Sequence, residues 1–240
     1  METYDSLRRA FFTGIPKARK IDPFFRAIFD FMYDAHCAAR PGTRLLNIYA
    51  SEDMSGSREE VYRDKFFAEC DYETVDFWKN SFIADGRAHK DPHTIPFPEG
   101  RFDVLVTTKY IMEHTSDPER MVREFYRVLK PGGQAFVVAA HVRRQHQKPH
   151  DYFRFTEFGL QYLFEKAGFA SLEIKPTNGW MATLASYIYF FERAFIPLRL
   201  QFIFDGIGYW MIQPIAFFLD RFDNGYGRDM SAYFLVRARK

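Results

Sequence analysis

Residues 91–133, DPHTIPFPEGRFDVLVTTKYIMEHTSDPERMVREFYRVLKPGG, constrain the fold more than any other part of the chain. They read as a strand, a loop and a returning helix, in that order. Phe102 to Thr108 is a short, nearly continuous apolar run, the composition of a parallel strand covered on both faces. Asp117 precedes Pro118, giving a helix cap followed by proline at the first helical position, where its missing N–H leaves nothing unsatisfied. Met121, Val122, Phe125, Val128 and Leu129 then recur at helical spacing, with Arg120, Arg123, Glu124 and Arg127 on the other face. Such a helix packs on a sheet. Lys130 suits the negative end of the helix, and Pro131-Gly132-Gly133 are expected to stop it before a second apolar run, Gln134 to Ala140. The stretch therefore predicts one βαβ unit.

The remaining elements extend this alternation. A short helix is expected near Tyr4 to Phe12. Asp22-Pro23 repeats the cap-and-proline start, and Phe25, Ile28, Phe29, Met32 and Ala35 form an apolar stripe ending before Pro41-Gly42. Arg44 to Tyr49 reads as the first strand, residues 57–70 as a helix or irregular helical loop, Tyr72 to Phe77 as a second strand and Ser81 to Asp85 as a short third. Later, Thr156 caps a helix whose stripe is Leu160, Leu163, Phe164 and Ala167, and Gly168 ends it. Strands are expected at Phe169 to Lys175 and Ser231 to Arg237. Alternating strands and helices define an α/β chain with a mostly parallel sheet.

At 240 residues the chain suits one domain, 1–240, with an elaboration at 178–229 that a minimal domain does not need. That elaboration is aromatic-rich and helical in pattern. Its uncharged runs, Trp180 to Phe191 and Gly206 to Leu219, fall short of the ~20 apolar residues a spanning helix needs. Three roles stay open for it: a cap on the sheet, a homodimer surface, or a peripheral membrane contact with Trp180, Tyr209 and Trp210 at headgroup level. The net charge of +2 argues against nucleic acid as a partner. Cys37 and Cys70 form neither a disulfide framework nor a metal motif. The first residues carry charges throughout and no apolar core of signal-peptide length, so a cytoplasmic protein is expected, or one peripheral at the inner membrane. No G-x-G-x-x-G follows the first strand, which disfavours a dinucleotide oxidoreductase.

The patterns DxxxxPFPxxxFDVL and MEHxxDPxxMxxExxRVLKPGG, together with PHDYFRFTEFGLQYLFEKAGF at residues 149–169, resemble the class I S-adenosylmethionine-dependent methyltransferases. Within them the likeness is to the type-11 branch of polysaccharide and small-molecule pathways. The resemblance implies a Rossmann-like fold with a seven-stranded sheet, helices on both faces and a helical insertion before the last strand. The last strand would lie antiparallel between the fifth and sixth. It also implies S-adenosyl-L-methionine as cofactor and methyl transfer to an oxygen, less readily a nitrogen, of a sugar, glycan or small metabolite.

By the same resemblance Asn47 stands where the first strand usually carries an acid, and Tyr49 and Ser51 stand at two glycine positions, with Ala50 between them. Asp76, at a strand end, would accept the ribose hydroxyls, and Phe77 or Trp78 would pack on the adenine. Asp91 would contact the adenine amino group. Thr108, at the end of the Phe102 strand, would be a further cofactor-binding residue. Glu113 and His114 match the family's E-H pair, and His150 lies in the loop beside the substrate pocket with Asp151, Tyr152 and Arg154. Either histidine could take a proton from a hydroxyl nucleophile. Arg143, Arg144, Lys148 and Arg154 make the loop cationic, which would suit an anionic acceptor. His141, His146 and His150 are spaced five and four apart in that loop, which is no recognised ligand signature, and no metal is expected. The altered first loop supports a second reading: a degenerate, non-catalytic methyltransferase fold serving as a binding or scaffold protein.

Overall fold

A computed structural model describes residues 2–15, 22–49, 59–77, 94–108, 110–197, 199–201 and 207–240. Among the described residues six strands form one sheet: β1 (Arg44–Tyr49), β2 (Asp71–Asp76), β3 (Phe102–Thr107), β4 (Leu129–Ala140), β5 (Ser171–Pro176) and β6 (Tyr233–Arg239). Their order is β2-β1-β3-β4-β6-β5. The pairs β1 with β2, β1 with β3, and β3 with β4 are parallel, while β6 runs antiparallel between β4 and β5 as expected. The expected short strand at Ser81 to Asp85 lies outside the described residues, as do Ala50, Ser51, Trp78 and Asp91.

Helices cover both faces, and the pleat decides which residues each face receives. On β1, Leu46 and Ile48 point one way and Leu45 the other. The first face buries α3 (Pro118–Val128) through Met121, Val122, Phe125 and Val128, and α4 (Glu157–Ala167) through Leu160 and Phe164. The second face buries α1 (Tyr4–Phe12) through Leu7, Phe11 and Phe12, and α2 (Pro23–Ala38) through Ile28, Phe29, Phe31 and Met32. Phe29 packs edge-on to Phe66, which belongs to a π-turn, Tyr62–Phe66, that follows the short helix Glu59–Val61. Fully burying one such side chain contributes about 1.5–3 kcal/mol, so the phenylalanine-rich α1, α2 and π-turn form a layer comparable to the α3 and α4 side.

The capping signals in the sequence form as expected. Asp22, Asp117 and Thr156 accept hydrogen bonds from the backbone N–H groups of Phe24, Arg120 and Gly159, at 2.9, 3.0 and 3.0 Å. Gly168 takes the left-handed conformation that ends α4. Strand ends shift by one or two residues from several of the expected ones, and the boundary after α3 differs in kind. The run Lys130-Pro131-Gly132-Gly133 is not a stop between helix and strand but part of β4, which begins at Leu129. Phe102 pairs with Leu129 and Val104 with Gln134, so the extra residues bulge out of the ladder. A Cβ at Gly133 would stand 2.9 Å from the Lys130 carbonyl oxygen, so the bulge needs glycine there. Lys130 leaves the helix end and instead donates to Asp103 at 2.7 Å.

The insertion before β6 contains α5 (Trp180–Phe195) and α6 (Gln213–Leu219), with a π-turn at Gly208–Ile212 and 3-10 turns at Asp220–Phe222 and Tyr226–Met230. Its small residues Ala182, Thr183, Ala185 and Ala216 are buried, whereas Trp180, Trp210, Met211, Phe218 and Phe222 are exposed. The small residues are thus turned inward, and the large aromatic side faces outward. No helix among the described residues is long and apolar enough to cross a membrane. Ser231 Oγ accepts from the N–H groups of Thr177 and Asn178, and the Asn178 side chain accepts from Ala232 N–H, which stitches the two ends of the insertion together.

Asp220 caps α5 from the far side of the insertion. Its carboxylate accepts from the N–H groups of Gly179, Met181 and Ala182 at 3.2, 2.8 and 3.1 Å. Three donors at a helix N-terminus make this carboxylate the joint between the two halves of the insertion. Replacing Asp220 by alanine should lower unfolding stability by about 1–2 kcal/mol in a denaturant titration. An unchanged midpoint would contradict the capping role.

Candidate active site

The parallel strands β1 to β4 all end at one edge of the sheet, the edge where open α/β sheets bind ligands. Asn47 lies one turn of the pleat below it and is fully buried. Its side-chain oxygen accepts from the Thr108 hydroxyl at 2.9 Å and from the Thr108 N–H at 3.4 Å, and its amide donates to the Tyr72 hydroxyl at 2.8 Å. Asn47 thus ties β1 to β2 and to the end of β3, and these bonds engage its side chain within the sheet. Burial pushes the Tyr72 phenol far up, so it stays a neutral acceptor for this bond.

Tyr49 and Asp76 are register partners at the ends of β1 and β2. Burial, then the neighbouring Asp76 and Glu59 carboxylates, raise the Tyr49 phenol. Asp76 is nearly buried at this edge, where a carboxylate can accept paired hydroxyls. Phe77 is 3% exposed and belongs to the core cluster on the α3 side with Leu46, Ile48 and Val75.

Beyond β3 the chain makes a single 3-10 turn, Met112–His114, all three of whose residues are buried. The segment after β4 folds over this turn. The Glu113 carbonyl accepts from Tyr152 N–H at 2.8 Å and Phe153 N–H at 3.3 Å, and His114 Nδ1 donates to the His150 carbonyl at 2.7 Å. Arg154 holds the loop from within: its guanidinium grips both oxygens of Asp151 at 2.6 and 2.7 Å and donates to the carbonyls of Arg143 and Arg144. Arg143 is placed over the Tyr233 ring at 5.2 Å. Two of the four cations expected to attract an anionic acceptor are therefore structural, while Arg144 and Lys148 are exposed.

The histidines separate by environment. His114 is 2% exposed, and burial pushes its ring down, toward the neutral form. His150 is only half-buried, with Nδ1 3.1 Å from the Tyr152 hydroxyl. His141 leaves the group and bonds the Asp229 carbonyl at 2.9 Å. His146 joins it: its Nε2 lies 3.8 Å from Glu113 Oε1, and its ring packs edge-on to His114 at 4.8 Å. The Asp151 carboxylate accepts from the His146 backbone N–H at 2.8 Å. Burial pushes Asp151 up, but Arg154 and that N–H outweigh it and leave the group below the usual carboxylate range. Burial likewise pushes the Glu113 carboxyl up, to about 7. The grouping of His146 with Glu113 and His114 was not visible in the spacing of the loop histidines, because the partners lie on a different connection of the sheet.

With this geometry in view, a family described as a methyltransferase domain matches residues 33–137. The ubiquinone/menaquinone biosynthesis C-methyltransferases UbiE of Vibrio campbellii and Vibrio parahaemolyticus are 24% identical over 110 residues, covering 42% of this chain and 42% of theirs. The chain thus spans about two fifths of the length of the curated relatives it matches. Among solved structures, a S-adenosylmethionine-dependent methyltransferase from Archaeoglobus fulgidus superposes with a TM-score of 0.51 at 11% identity, covering 99% of this chain and 100% of the other. A Bacillus halodurans protein assigned to the methyltransferases gives 0.50 at 16% identity, covering 89% and 98%. The fold is the Rossmann-like class I methyltransferase fold. The family match supports a methyltransferase domain over residues 33–137 of this chain.

The clamp at the strand ends can be tested alone. Asn47→Ala leaves the Tyr72 hydroxyl and Thr108 without their buried partner and should cost about 2 kcal/mol of stability by denaturant unfolding. A loss within the error of the titration would contradict the clamp.

Proposed function

We propose that the protein transfers a methyl group from S-adenosylmethionine to an oxygen, second a nitrogen, of a sugar or other small hydroxylated metabolite. The observation that carries this reading is the convergence of Asp76 with the turn Met112–His114 and the His150 loop at one sheet edge. When bound, the cofactor supplies a methyl group already activated by a positively charged sulfur. Asp76 would accept the ribose hydroxyls, with Tyr49 beside it at the end of β1. Ala50, Ser51 and Asp91 would complete the cofactor contacts. Asn47 and Thr108 would hold the strand ends that frame them.

His150 is the better base of the two histidines, because its ring is half-exposed while that of His114 is buried and bound to the His150 carbonyl. His114 and Glu113 would then act as positioning residues, fixing the loop so that the His150 ring meets the acceptor hydroxyl. A base that removes the acceptor's proton as the bond forms contributes ~10²-fold or more in rate, and alignment of acceptor, methyl and sulfur contributes the rest. Exposed Arg144 and Lys148 leave room for an acceptor bearing an anionic group.

Isothermal titration with S-adenosylmethionine and S-adenosylhomocysteine tests the reading. Both should bind the folded chain, and Asp76→Ala should weaken binding by about tenfold, the value of one charge-assisted hydrogen bond. Absence of binding to well-folded protein would overturn the enzyme reading and leave a non-catalytic fold. With an acceptor in hand, His150→Ala should lower turnover by ~10²-fold with unchanged cofactor affinity. Unchanged turnover would remove His150 as the base.

A further inference from the structure

Glu113 presents an unusual electrostatic arrangement. It is fully buried, and neither carboxylate oxygen has a hydrogen-bond partner among the described residues. A buried carboxylate without donors is costly, and proteins normally supply N–H groups or a cation. The nearby cations are committed elsewhere: Arg154 grips Asp151, and Arg143 lies over Tyr233. What faces Glu113 instead is a pair of histidine rings. One ring nitrogen each from His114 and His146 and one oxygen of Glu113 lie within 4.8 Å of one another.

The hydrogen bonds on the far sides of the rings decide what those nitrogens offer. His114 Nδ1 sits 2.7 Å from the His150 carbonyl, which can only accept, so Nδ1 carries the proton and the neutral ring keeps its lone pair on Nε2. His146 Nδ1 lies 3.4 Å from the Arg144 carbonyl and 3.5 Å from Asp151 Oδ2, again acceptors only, so its lone pair is on Nε2 as well. That Nε2 is the atom 3.8 Å from Glu113 Oε1. Ring nitrogens and a carboxyl group thus converge on one point, where either a shared proton or a metal ion would offset their repulsion.

We propose that Glu113, His114 and His146 form a binding site for one divalent first-row transition-metal ion of the Zn2+ type. Two imidazoles and one carboxylate suit such ions, whereas Ca2+ and Mg2+ prefer oxygen-only sets. The outer partners also match: ligating histidines usually donate their second nitrogen to a carbonyl or carboxylate, as His114 does to the His150 carbonyl and His146 to the Arg144 carbonyl. Ligands of a tetrahedral ion with bonds of about 2.1 Å stand roughly 3.4 Å apart, so atoms now within 4.8 Å of one another need close by at most about 1.4 Å. Three protein ligands leave a coordination position for water or for an acceptor oxygen. The site joins the turn Met112–His114 to the loop after β4, so ion binding would also fasten that loop over the sheet edge.

The competing account is a single proton shared between Glu113 and His146, and metal titration separates the two. The full chain is stripped with a chelator and titrated with Co2+, whose visible d–d absorption reports ligand geometry, and Zn2+ is then added as competitor. The expected result is saturation at one equivalent, an intense tetrahedral-type spectrum, and displacement by Zn2+. His146→Gln and Glu113→Gln should each weaken the binding by tenfold or more, and Asp151→Asn by ~10-fold through its outer contact. Zn2+ should raise the unfolding temperature of the natural sequence but not of His146→Gln. His146 lies on a partly exposed loop, so that variant keeps the readout if Glu113→Gln fails to fold. No saturable binding, or equal binding by the folded His146→Gln protein, would overturn the proposal. These readouts do not involve methyl transfer and stand or fall apart from it.

Discussion

The docking of the loop after β4 onto the turn after β3 is the contact on which the functional edge depends. Two backbone N–H groups, from Tyr152 and Phe153, converge on the Glu113 carbonyl, and the His114 ring reaches across to the His150 carbonyl. Ile111 and Met112 anchor the turn in the core and Phe155 anchors the loop, with Arg154 and Asp151 bracing the loop internally. That mutual support places one half-exposed histidine, one buried histidine and one buried carboxylate beside the ends of the parallel strands. Breaking it would leave the sheet intact while scattering the groups that give the edge its chemistry.

Beneath this edge the sheet supplies a rigid floor. Asn47 illustrates how a residue at a position associated with ligand contact can take over a structural duty: its amide joins three strands, bonding Tyr72 and Thr108. Asp76 stays at the edge itself, beside Tyr49. In the proposed reading the cofactor side rests on the ends of β1 and β2, while the acceptor side rests on the two docked loops. Helix caps written into the sequence, Asp117 and Thr156, hold α3 and α4 under the same floor.

Much of this was legible in the chain, for identifiable reasons. Helix starts were readable because Asp-Pro and Thr caps act within three residues, and β1 was readable because its apolar run is local. The antiparallel β6 between β4 and β5 followed from the family likeness. The Lys130-to-Gly133 bulge was not readable, since proline and glycine mark a helix stop and a strand bulge equally well. The role of Asn47 depended on Tyr72 and Thr108, residues 25 and 61 positions away. His146 was hidden for the same reason: spacing within one loop cannot show a partner contributed by another. Likewise Arg143 and Arg154 read as surface charge, and only the fold revealed the Tyr233 ring and the Asp151 carboxylate that occupy them.

The edge formed by β1, β2 and the two docked loops is the proposed methyl-transfer site. A crystal structure of the chain with S-adenosylhomocysteine tests it most directly. The ligand is expected at the ends of β1 and β2, with its ribose hydroxyls on the Asp76 carboxylate and its sulfur directed toward the His150 loop. Ligand bound at another surface, or at this edge with Asp76 untouched and the sulfur turned away from His150, would contradict it.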